Sequence, residues 1–452
     1  MMSYNYKKIM VLLAIVICFQ CTFASCKQGE LITPDTIAPL PDREQEEEDK
    51  VADWSQKEFV LSTFFALPGS GDATQYRRIL THTKNAEINL VELSFIPPEA
   101  LLVALNVAEE VGVRTLAQNL KIYSGIGDTS PPISEAALVS EIDFLKRFKM
   151  LEGYYVWDEP YEANFESVKT LNQLLKKHDP GRLAFSTLYP SYGVYNWEEG
   201  EYNWENNTYA QYVTQYLQQT DPAVLSFNYY PYRDNKESTS LVQNDLWKDF
   251  GYIRQKALEY NKPLWYYFQA VSIDPQHPGV MNLERIRAQM HGALAYGVKG
   301  LSYYTTYGAL LTESFEKSVW YDDLTVLNKK VKNIGNLLLE ATSNKVYHTG
   351  LNANMQQAYF LDSFSESNFI TAAPNDLIIG ILENDNKSYI VISNKSHLDT
   401  VSGDIEFDRE YSISKFNPEL NIFSDNHNVS EIDLSLAPGD IAVYLIECQD
   451  KE

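Results

Sequence analysis

The sequence predicts a (β/α)8 barrel followed by a small all-β sandwich domain. From Glu58 onward, a short run rich in Val, Leu, Phe or Tyr is followed by an amphipathic stretch, and this alternation occurs eight times. Strands that alternate with helices form right-handed βαβ units with a parallel sheet, and eight such units are typical of a closed barrel. Near Ser343 the helical periodicity stops and short alternating strands begin, which is typical of a sandwich.

Each of the eight predicted strands is bounded by Gly, Pro, Asn or Asp. In chain order they are Phe59–Ala66, Asn89–Phe95, Val113–Asn119, Gly153–Trp157, Arg182–Tyr189, Ala223–Tyr230, Pro263–Ala270 and Gly300–Tyr307. Helical periodicity is clear in Pro98–Val111, Glu166–Lys177, Leu246–Tyr260 and Leu283–Tyr296. The alternative is a doubly wound open sheet, but the first strand leads into Leu67-Pro68-Gly69 instead of a Gly-rich phosphate turn. We therefore assign residues 56–343 to a barrel of catalytic type.

Residues 344–452 are expected to form the β-sandwich. The runs Leu377–Leu382 and Ser388–Asn394 flank the polar segment Glu383–Lys387, which is typical of a β-hairpin. The turn residues Pro438-Gly439 then lead into a last strand. Because this part has no dense aromatic face, we expect it to pack beside the barrel rather than to bind sugar by itself.

The N-terminus is typical of a secreted bacterial protein. Lys7-Lys8 precede the apolar run Ile9–Phe19, which is too short to span a bilayer as a stable helix. The segment Phe23-Ala24-Ser25-Cys26 resembles a lipobox, which implies that residues 1–25 are a signal peptide and that Cys26 carries a lipid. A plain secretory signal peptide with an incidental cysteine is the alternative.

Residues 26–55 predict an acidic, Pro-rich tether. A run of like charges repels itself and keeps the chain extended, so this segment would hold the folded part away from a membrane surface. We expect a protein that is lipid-anchored in the cell envelope, at the outer membrane and either periplasmic or exposed at the surface. The membrane is then one partner, through the N-terminal lipid.

Composition excludes several classes of function. A net charge of −24 argues against nucleic acid as a partner, since a phosphate backbone demands clustered Lys and Arg. The 7 His include no His-Glu-x-x-His pair, and neither a Gly-x-Ser-x-Gly elbow nor a phosphate loop occurs, so we expect no metal and no cofactor. The 31 Tyr and 7 Trp offer flat amphipathic rings that suit sugar faces, although many such rings fill a barrel core.

The most informative segment of the chain is Gly153–Pro160, which ends in Asp158-Glu159-Pro160. Proline cannot continue a central strand, so the fourth strand should stop at the two carboxylates. The C-terminal end of a barrel strand is where such enzymes carry catalytic residues. Adjacent carboxylates raise each other's pKa, which suits a general acid near neutral pH. The alternative is that Asp158 or Glu159 caps the following helix.

The end of the fourth strand resembles that of clan A glycoside hydrolases, in which Asn-Glu-Pro supplies the acid/base glutamate. The resemblance implies that Glu159 is the general acid/base and that the substrate is a poly- or oligosaccharide. After the sixth strand, Asn228-Tyr229-Tyr230-Pro231 is similar to the Asn-Tyr-Tyr-Pro ending often seen in these barrels. The resemblance covers roughly residues 56–343, together with a C-terminal sandwich that many of these enzymes append.

The chain departs from the clan pattern at two positions. Asp158 stands where the clan has Asn, and Gln269 stands at the end of strand seven, where the clan has its nucleophilic glutamate. Two-carboxylate mechanisms need a second carboxyl about 5–5.5 Å away for retention or about 6.5–9.5 Å away for inversion. Glu92 on the second strand is one candidate partner, with a buried, paired carboxylate as the alternative reading. Other candidates are the rim residues Asp274, His277, Glu313 and Glu316.

The adjacent Asp158-Glu159 pair is also similar to that of hexosaminidases whose substrates supply a 2-acetamido group as the nucleophile. That resemblance implies that Glu159 protonates the leaving oxygen and that Asp158 orients the amide, a known exception to the two-carboxylate rule. A second class of function is a carbohydrate-binding barrel that lacks the strand-seven nucleophile because Gln269 stands there. A third is a structural protein of the envelope.

The remaining candidate site residues line the predicted strand ends. The expected substrate-binding set is Trp157, Asn228, Tyr230, Tyr267, Gln269 and Tyr304, with Asn119 and Tyr189 as further members. An aromatic loop after strand five contains Tyr192, Tyr195, Trp197, Tyr202 and Trp204. This loop is either a wall over the cleft or a surface loop packed on itself.

Overall fold

The structure is a computed structural model that describes residues 52–118, 134–192, 195–196, 200–201, 208–232, 241–273, 277, 279–364, 367, 369–385 and 387–447. The predicted signal peptide, Cys26 and most of the tether lie outside the described residues. So do five other residues considered above, Asn119, Trp197, Tyr202, Trp204 and Asp274. Among the described residues, no helix has both the length and the apolar character needed to cross a membrane.

Eight strands alternate with eight helices in the described part of the barrel. The strands are β1 (Val60–Thr63), β2 (Leu90–Leu93), β3 (Arg114–Ala117), β4 (Leu151–Asp158), β5 (Leu183–Thr187), β6 (Leu225–Asn228), β7 (Leu264–Phe268) and β8 (Gly300–Tyr303). The helices are α1 (Ala73–Asn85), α2 (Pro98–Val111), α3 (Glu135–Leu145), α4 (Phe165–His178), α5 (Thr208–Thr220), α6 (Leu241–Glu259), α7 (Leu283–Ala295) and α8 (Tyr321–Leu337). Every predicted strand has a counterpart, so the alternation is confirmed.

The eight strands are parallel and form one sheet in the order β5-β4-β3-β2-β1-β8-β7-β6. The sheet closes between its two edges by a parallel bridge from Leu188 to Phe227. There the Leu188 amide donates to the Ser226 carbonyl at 2.9 Å, and the Asn228 amide donates to the Leu188 carbonyl at 3.2 Å. The (β/α)8 barrel is therefore confirmed, and the open doubly wound sheet is wrong.

The barrel interior is filled with side chains, as in other closed barrels of eight strands. One buried cluster joins Val60, Phe64, Leu90, Leu116, Tyr155, Leu183, Phe185, Val224, Trp265 and Tyr267. At the N-terminal end of the strands, the Trp54 indole packs on this cluster and donates to Glu152 at 2.6 Å. At the C-terminal end, here called the mouth, the cluster is covered by the half-buried rings of Phe65, Phe95 and Tyr304. The packed interior therefore leaves the mouth as the place to look for a site.

The C-terminal domain is an antiparallel sheet of eight described strands. They are β9 (Thr342–His348), β10 (Ile370–Ala372), β11 (Leu377–Asn384), β12 (Lys387–Asn394), β13 (Val401–Asn417), β14 (Ile422–Phe423), β15 (His427–Leu436) and β16 (Ile441–Glu447), with a short helix α9 (Ala353–Ala358). The predicted hairpin is confirmed as β11 and β12. Leu377 is paired with Asn394 at the open end, and Asn384 is paired with Lys387 next to the turn. Long β13 pairs with β15, β16, β10 and β14, and an apolar core of its own lies inside the sandwich.

The β-domain packs closely against the barrel helices. Gly380 of β11 lies so near α7 that a Cβ atom there would stand 1.9 Å from the Ala295 carbonyl oxygen. Buried Arg254 of α6 donates from Nε to the Ser343 hydroxyl and from Nη2 to the Ser343 carbonyl, both at 2.7 Å. These contacts agree with the expected packing role of the domain.

Candidate active site

The end of β4 has an irregular pairing that decides where its side chains point. Tyr155 pairs with Phe185 but Trp157 pairs with Ser186, so one extra residue of β4 is accommodated between them. Bulges of this kind re-aim side chains next to active sites. After the bulge Asp158 faces the barrel interior, where the Tyr155 hydroxyl donates to its Oδ1 at 2.9 Å. Trp157 is 1% exposed and belongs to the large cluster that includes the helix layer, so the structure does not bring it to the mouth.

Glu159 follows β4 in the left-handed region, with φ +50°. A residue other than glycine in this region costs on the order of 1–3 kcal/mol and persists only when neighbouring contacts hold it. The Glu159 amide donates to the Thr187 carbonyl at 3.0 Å, and the Asn228 side-chain amide donates to Glu159 Oε1. Because β5 lies between β4 and β6, the carboxylate reaches over one strand to its partner on β6.

Neither carboxylate caps the helix that follows. A single turn of 3-10 helix, Glu162–Asn164, starts after Tyr161, whose amide donates to the Asn164 side chain at 3.0 Å. Helix α4 begins at Phe165 with Asn164 as its N-cap and no side-chain capping bond. The capping alternative is therefore wrong, and both carboxylates belong to the mouth.

Glu92 lies deeper in the barrel interior and is fully buried. Its Oε1 accepts from the hydroxyls of Ser62 at 2.9 Å and Ser302 at 3.0 Å, and its Oε2 accepts from the Tyr267 hydroxyl. Glu92 is thus a buried, paired carboxylate, and Tyr267 is its partner below the mouth rather than an open sugar contact.

Burial moves two carboxyl pKa values toward neutrality. It raises the pKa of Glu92 to about 7, where the three hydroxyl bonds oppose the rise and the charge of Asp158 adds to it. Burial also raises the pKa of Asp158 to about 6, opposed by the bond from Tyr155. Glu92 in the interior and Asp158 at the mouth thus both have carboxyl pKa values raised toward neutral pH.

Gln269 is fully buried and fixes a loop instead of facing the mouth. Its Oε1 accepts from the Tyr232 amide at 2.8 Å, while its Nε2 donates to the carbonyls of Tyr232 at 2.7 Å and Val271 at 3.1 Å. The Gln269 backbone is held in turn by the Gln289 side chain at 2.9 and 3.0 Å. Its amide is thus occupied by backbone groups of the segments after β6 and β7.

Tyr230 and Tyr304 are half-buried at the mouth, with ring centroids 5.1 Å apart. Burial raises the pKa of both phenols, and the charges of Glu159 and Asp158 raise it further. The Tyr230 amide donates to the Tyr192 hydroxyl at 3.0 Å, which ties the start of the aromatic loop to β6. The structure therefore groups five of the predicted site residues at the mouth: Asp158, Glu159, Asn228, Tyr230 and Tyr304.

The rim carboxylates lie apart from this group. Glu313 and Glu316 are exposed, and Glu316 pairs with Arg78 at 2.5 Å. His277, the other described rim candidate, accepts through its carbonyl from the Ser272 hydroxyl at 2.7 Å. Within the described ranges, no group of three or more His, Cys, Asp or Glu is placed to hold a metal ion.

Several mouth residues are absent from the sequence-based set. Phe65 and Phe95 follow β1 and β2 in left-handed conformations, with φ +41° and +54°. The signal for them is an aromatic residue at the end of a predicted strand, shortly before Pro68 or Pro97. A groove of about 520 Å³ lies elsewhere, between α9 and β10, and no carboxylate is among the described residues that line it, so we do not connect it with the site.

Several solved structures similar to this chain are glycoside hydrolases. A family 5 glycoside hydrolase from Bacteroides vulgatus is 13% identical with a TM-score of 0.53, and the match covers 86% of this chain and 89% of that chain. A family 27 β-L-arabinopyranosidase from Geobacillus stearothermophilus is 10% identical with a TM-score of 0.48, covering 88% and 98%. A family 30 endoxylanase from Clostridium papyrosolvens is 14% identical with a TM-score of 0.42, also covering 88% and 98%.

At 13% identity the likeness to the family 5 glycoside hydrolase shows a shared fold and does not by itself assign an activity. No family model matches the sequence, and a search of curated proteins finds no match. Any assignment of activity therefore depends on the geometry of the mouth.

Proposed function

We propose that this protein is a glycoside hydrolase that acts on a poly- or oligosaccharide, with Glu159 as its general acid/base. The observation that carries the proposal is the position of Glu159, which follows β4 in a left-handed conformation with its carboxylate bound by Asn228. Backbone strain of this kind is concentrated at functional sites. The shared fold with a family 5 glycoside hydrolase supports the same class of reaction.

Asp158 is the residue that decides the mechanism. Because Gln269 is an amide bound to backbone groups, the end of β7 offers no nucleophilic carboxylate. A substrate that carries a 2-acetamido group brings its own nucleophile. In that reaction the amide oxygen attacks the anomeric carbon while Glu159 gives its proton to the leaving oxygen. Water then opens the oxazolinium ring, and Glu159 takes the proton back.

In this mechanism Asp158 orients the acetamido group. Its Oδ1 is already fixed by the Tyr155 hydroxyl, and the raised pKa of about 6 leaves it ionised above that pH. An ionised Asp158 accepts the substrate amide N–H, which directs the amide oxygen toward the anomeric carbon. This role accounts for an aspartate beside Glu159.

The second candidate is a carbohydrate-binding barrel without turnover. The observation that favours it is the engagement of the Gln269 side chain with the backbone of Tyr232, which leaves β7 without a catalytic group. Glu159→Gln separates the two functions, because the variant keeps the shape of the site and loses only the transferable proton. A hydrolase loses turnover in this variant, whereas a binder keeps its affinity and shows no turnover in either form.

The test is a screen of wild-type protein against neutral oligosaccharides and aryl glycosides, including N-acetyl-β-D-glucosaminides, with products followed by mass spectrometry. Cleavage by the wild type and its loss in Glu159→Gln support the hydrolase. Absence of cleavage across the panel, together with binding of a glycan, supports the binder and overturns the first proposal.

We also propose that a lipid on Cys26 anchors the protein at the outer membrane. The lipobox-like segment Phe23–Cys26 and the acidic tether after it support this location. Replacement Cys26→Ser should abolish palmitate labelling and move the protein to the soluble fraction. Unchanged labelling would contradict the proposal.

A further inference from the structure

A continuous band of aromatic rings borders the mouth on the side opposite to β4. The rings of Phe65 and Phe95 stack at 5.4 Å with an interplanar angle of 29°. Tyr304 meets Phe65 edge to face at 5.7 Å, and Tyr230 meets Tyr304 at 5.1 Å. These residues follow β2, β1, β8 and β6, so the band runs along the mouth from β2 to the strand that carries Asn228.

The backbone of two members of the band is strained. Phe65 and Phe95 both lie in the left-handed region, where a bulky residue is a conformational outlier. The two strands that carry them are neighbours in the sheet, and both rings stay half-buried at the mouth. Strain at two positions on neighbouring strands indicates that the orientation of the two rings is maintained at a cost in backbone conformational energy.

Two side chains that contact Phe95 or Glu159 each have a buried polar atom without a hydrogen-bond partner in the described part of the chain. Gln118 follows β3, and its Oε1 accepts from the Phe95 amide, but its buried Nε2 has no partner among the described residues. Asn228 donates to Glu159, while its buried Oδ1 likewise has no partner within the described ranges. Native proteins pair nearly all buried polar groups, so exceptions beside a site call for an explanation.

A sugar ring fits this set of groups. Its C–H face is apolar and stacks on an aromatic ring, and its hydroxyl rim supplies both donors and acceptors. The Gln118 amide would donate to one hydroxyl, and Asn228 Oδ1 would accept from another.

The charges at the mouth select among sugars. Asp158 at the end of β4 and Glu159 directly after it place two carboxylates at the mouth. Burial raises the pKa of the Tyr230 and Tyr304 phenols, and the negative field of these carboxylates raises it further. A uronic acid or a sulfated sugar would place a like charge in this field, and such a juxtaposition disfavours binding.

We propose that Phe65 and Phe95, extended by Tyr304, form an aromatic platform that binds one ring of an uncharged sugar beside Glu159 and discriminates against acidic sugars. This inference rests on the proposed function and names its class of substrate. The aromatic rings of the platform stack on the C–H face of the sugar, while Gln118 and Asn228 form hydrogen bonds with its hydroxyl groups.

The experiment measures binding at about pH 7.5 in a Glu159→Gln background, where no probe is hydrolysed and the ionised Asp158 keeps a negative charge at the mouth. The probes are neutral tetrasaccharides of glucose, xylose, mannose and N-acetylglucosamine, with tetragalacturonate as the acidic probe, followed by titration calorimetry. Phe65→Leu and Phe95→Leu keep the apolar volume and remove the flat face. Phe315→Leu is the matched control, because Phe315 is also half-buried with φ +66° but packs on Tyr307 outside the band.

We expect at least one neutral probe to bind and each platform variant to weaken its binding about tenfold. The Phe315 variant should bind like the parent, and tetragalacturonate should bind at least about tenfold more weakly. Circular dichroism and thermal unfolding show whether each variant is folded, and a misfolded Leu variant is replaced by Met at the same position.

Parent-like affinity in both folded platform variants would overturn the platform, and equal affinity for the acidic probe would overturn the choice of substrate. Neither result bears on hydrolysis by the wild type. The platform and the proposed function therefore fail separately.

Discussion

Contacts from two other strands and one helix hold Glu159 in position. Its amide is bound by Thr187 at the end of β5, its carboxylate by Asn228 at the end of β6, and the next carbonyl, that of Pro160, by the Tyr212 hydroxyl of α5 at 2.8 Å. These contacts hold a conformation that the local sequence disfavours. A catalytic carboxylate on so constrained a residue loses little freedom when substrate binds.

Glu92 makes the stability of the protein depend on pH. Burial raises its folded pKa from 4.5 to about 7, so between these values the folded state binds more protons than the unfolded state. The free energy of unfolding from this group is then fully present below pH 4.5 and is lost as the pH rises through 7. A shift of this size corresponds to about 3 kcal/mol.

We therefore predict that Glu92→Gln removes this loss. Urea unfolding at pH 4.5 and pH 7.5 should show the wild type losing about 3 kcal/mol more than the variant over this interval. The glutamine amide can still bond to Ser62, Ser302 and Tyr267, so the core stays filled. Equal pH dependence in the two proteins would show that Glu92 has an ordinary pKa.

At the scale of elements, the ends of the strands carry the functional geometry. The sequence predicts the end of β4, because Pro160 stops the strand after the two carboxylates, and β4 does end at Asp158. The positions of the other barrel strands follow in the same way from composition and periodicity. Local signals were sufficient there because strand boundaries depend on nearby residues.

The details of the mouth could not be predicted in this way. The left-handed turn at Phe95 has no glycine to mark it and depends on the distant Gln118 side chain. From the sequence, a glutamine at a strand end is as consistent with a sugar contact as with a structural role. The bond from Gln269 to the Tyr232 carbonyl shows the structural role. The bulge in β4 likewise turns Trp157 away from the mouth. Each of these outcomes is set by tertiary contacts.

Gln269→Glu should not create the missing nucleophile. A carboxylate there would face the carbonyl oxygens of Tyr232 and Val271, which now accept from the Gln269 amide group. We expect the variant to lose about 2–4 kcal/mol in the free energy of unfolding, because two bonds are replaced by buried repulsion. Gln255→Glu is the control, because that side chain is exposed and makes one bond to a carbonyl.

The readouts for Gln269→Glu are urea unfolding and mass spectrometry after incubation with a 2-deoxy-2-fluoro glycoside. We expect no covalent adduct. A trapped glycosyl ester on position 269 would contradict the assignment of this residue to the loop.

At the scale of the whole molecule, the barrel and the β-domain share a tight interface. The turn at Gly439 lies against α7, where His291 Nδ1 stands 2.8 Å from the Gly439 carbonyl, and Lys330 of α8 pairs with Asp440 at 2.6 Å. Burial lowers the pKa of His291 to about 3, so this histidine is neutral at ordinary pH. The β-domain therefore packs against α7 and α8, the helices that follow β7 and β8. Gln269 lies directly after β7, and Tyr304 lies directly after β8.

We predict that Gly380→Ala destabilises the protein by about 3 kcal/mol, because the added Cβ would overlap the Ala295 carbonyl at 1.9 Å. Gly279→Ala is the matched control, since a Cβ there meets no atom of the described residues within 4 Å. Thermal unfolding of the two variants measures the difference. Equal stability of both would show that the domains are not tightly packed at β11.

The proposed role of Glu159 as a general acid is tested most directly by varying the leaving group. We predict that Glu159→Gln lowers kcat/KM on an oligosaccharide by about 10²–10⁴-fold, the usual contribution of general acid catalysis. With a 2,4-dinitrophenyl glycoside of the same sugar, whose leaving group departs without a proton, the loss should be far smaller. An equal loss on both substrates, or no loss on either, would contradict the assignment of Glu159.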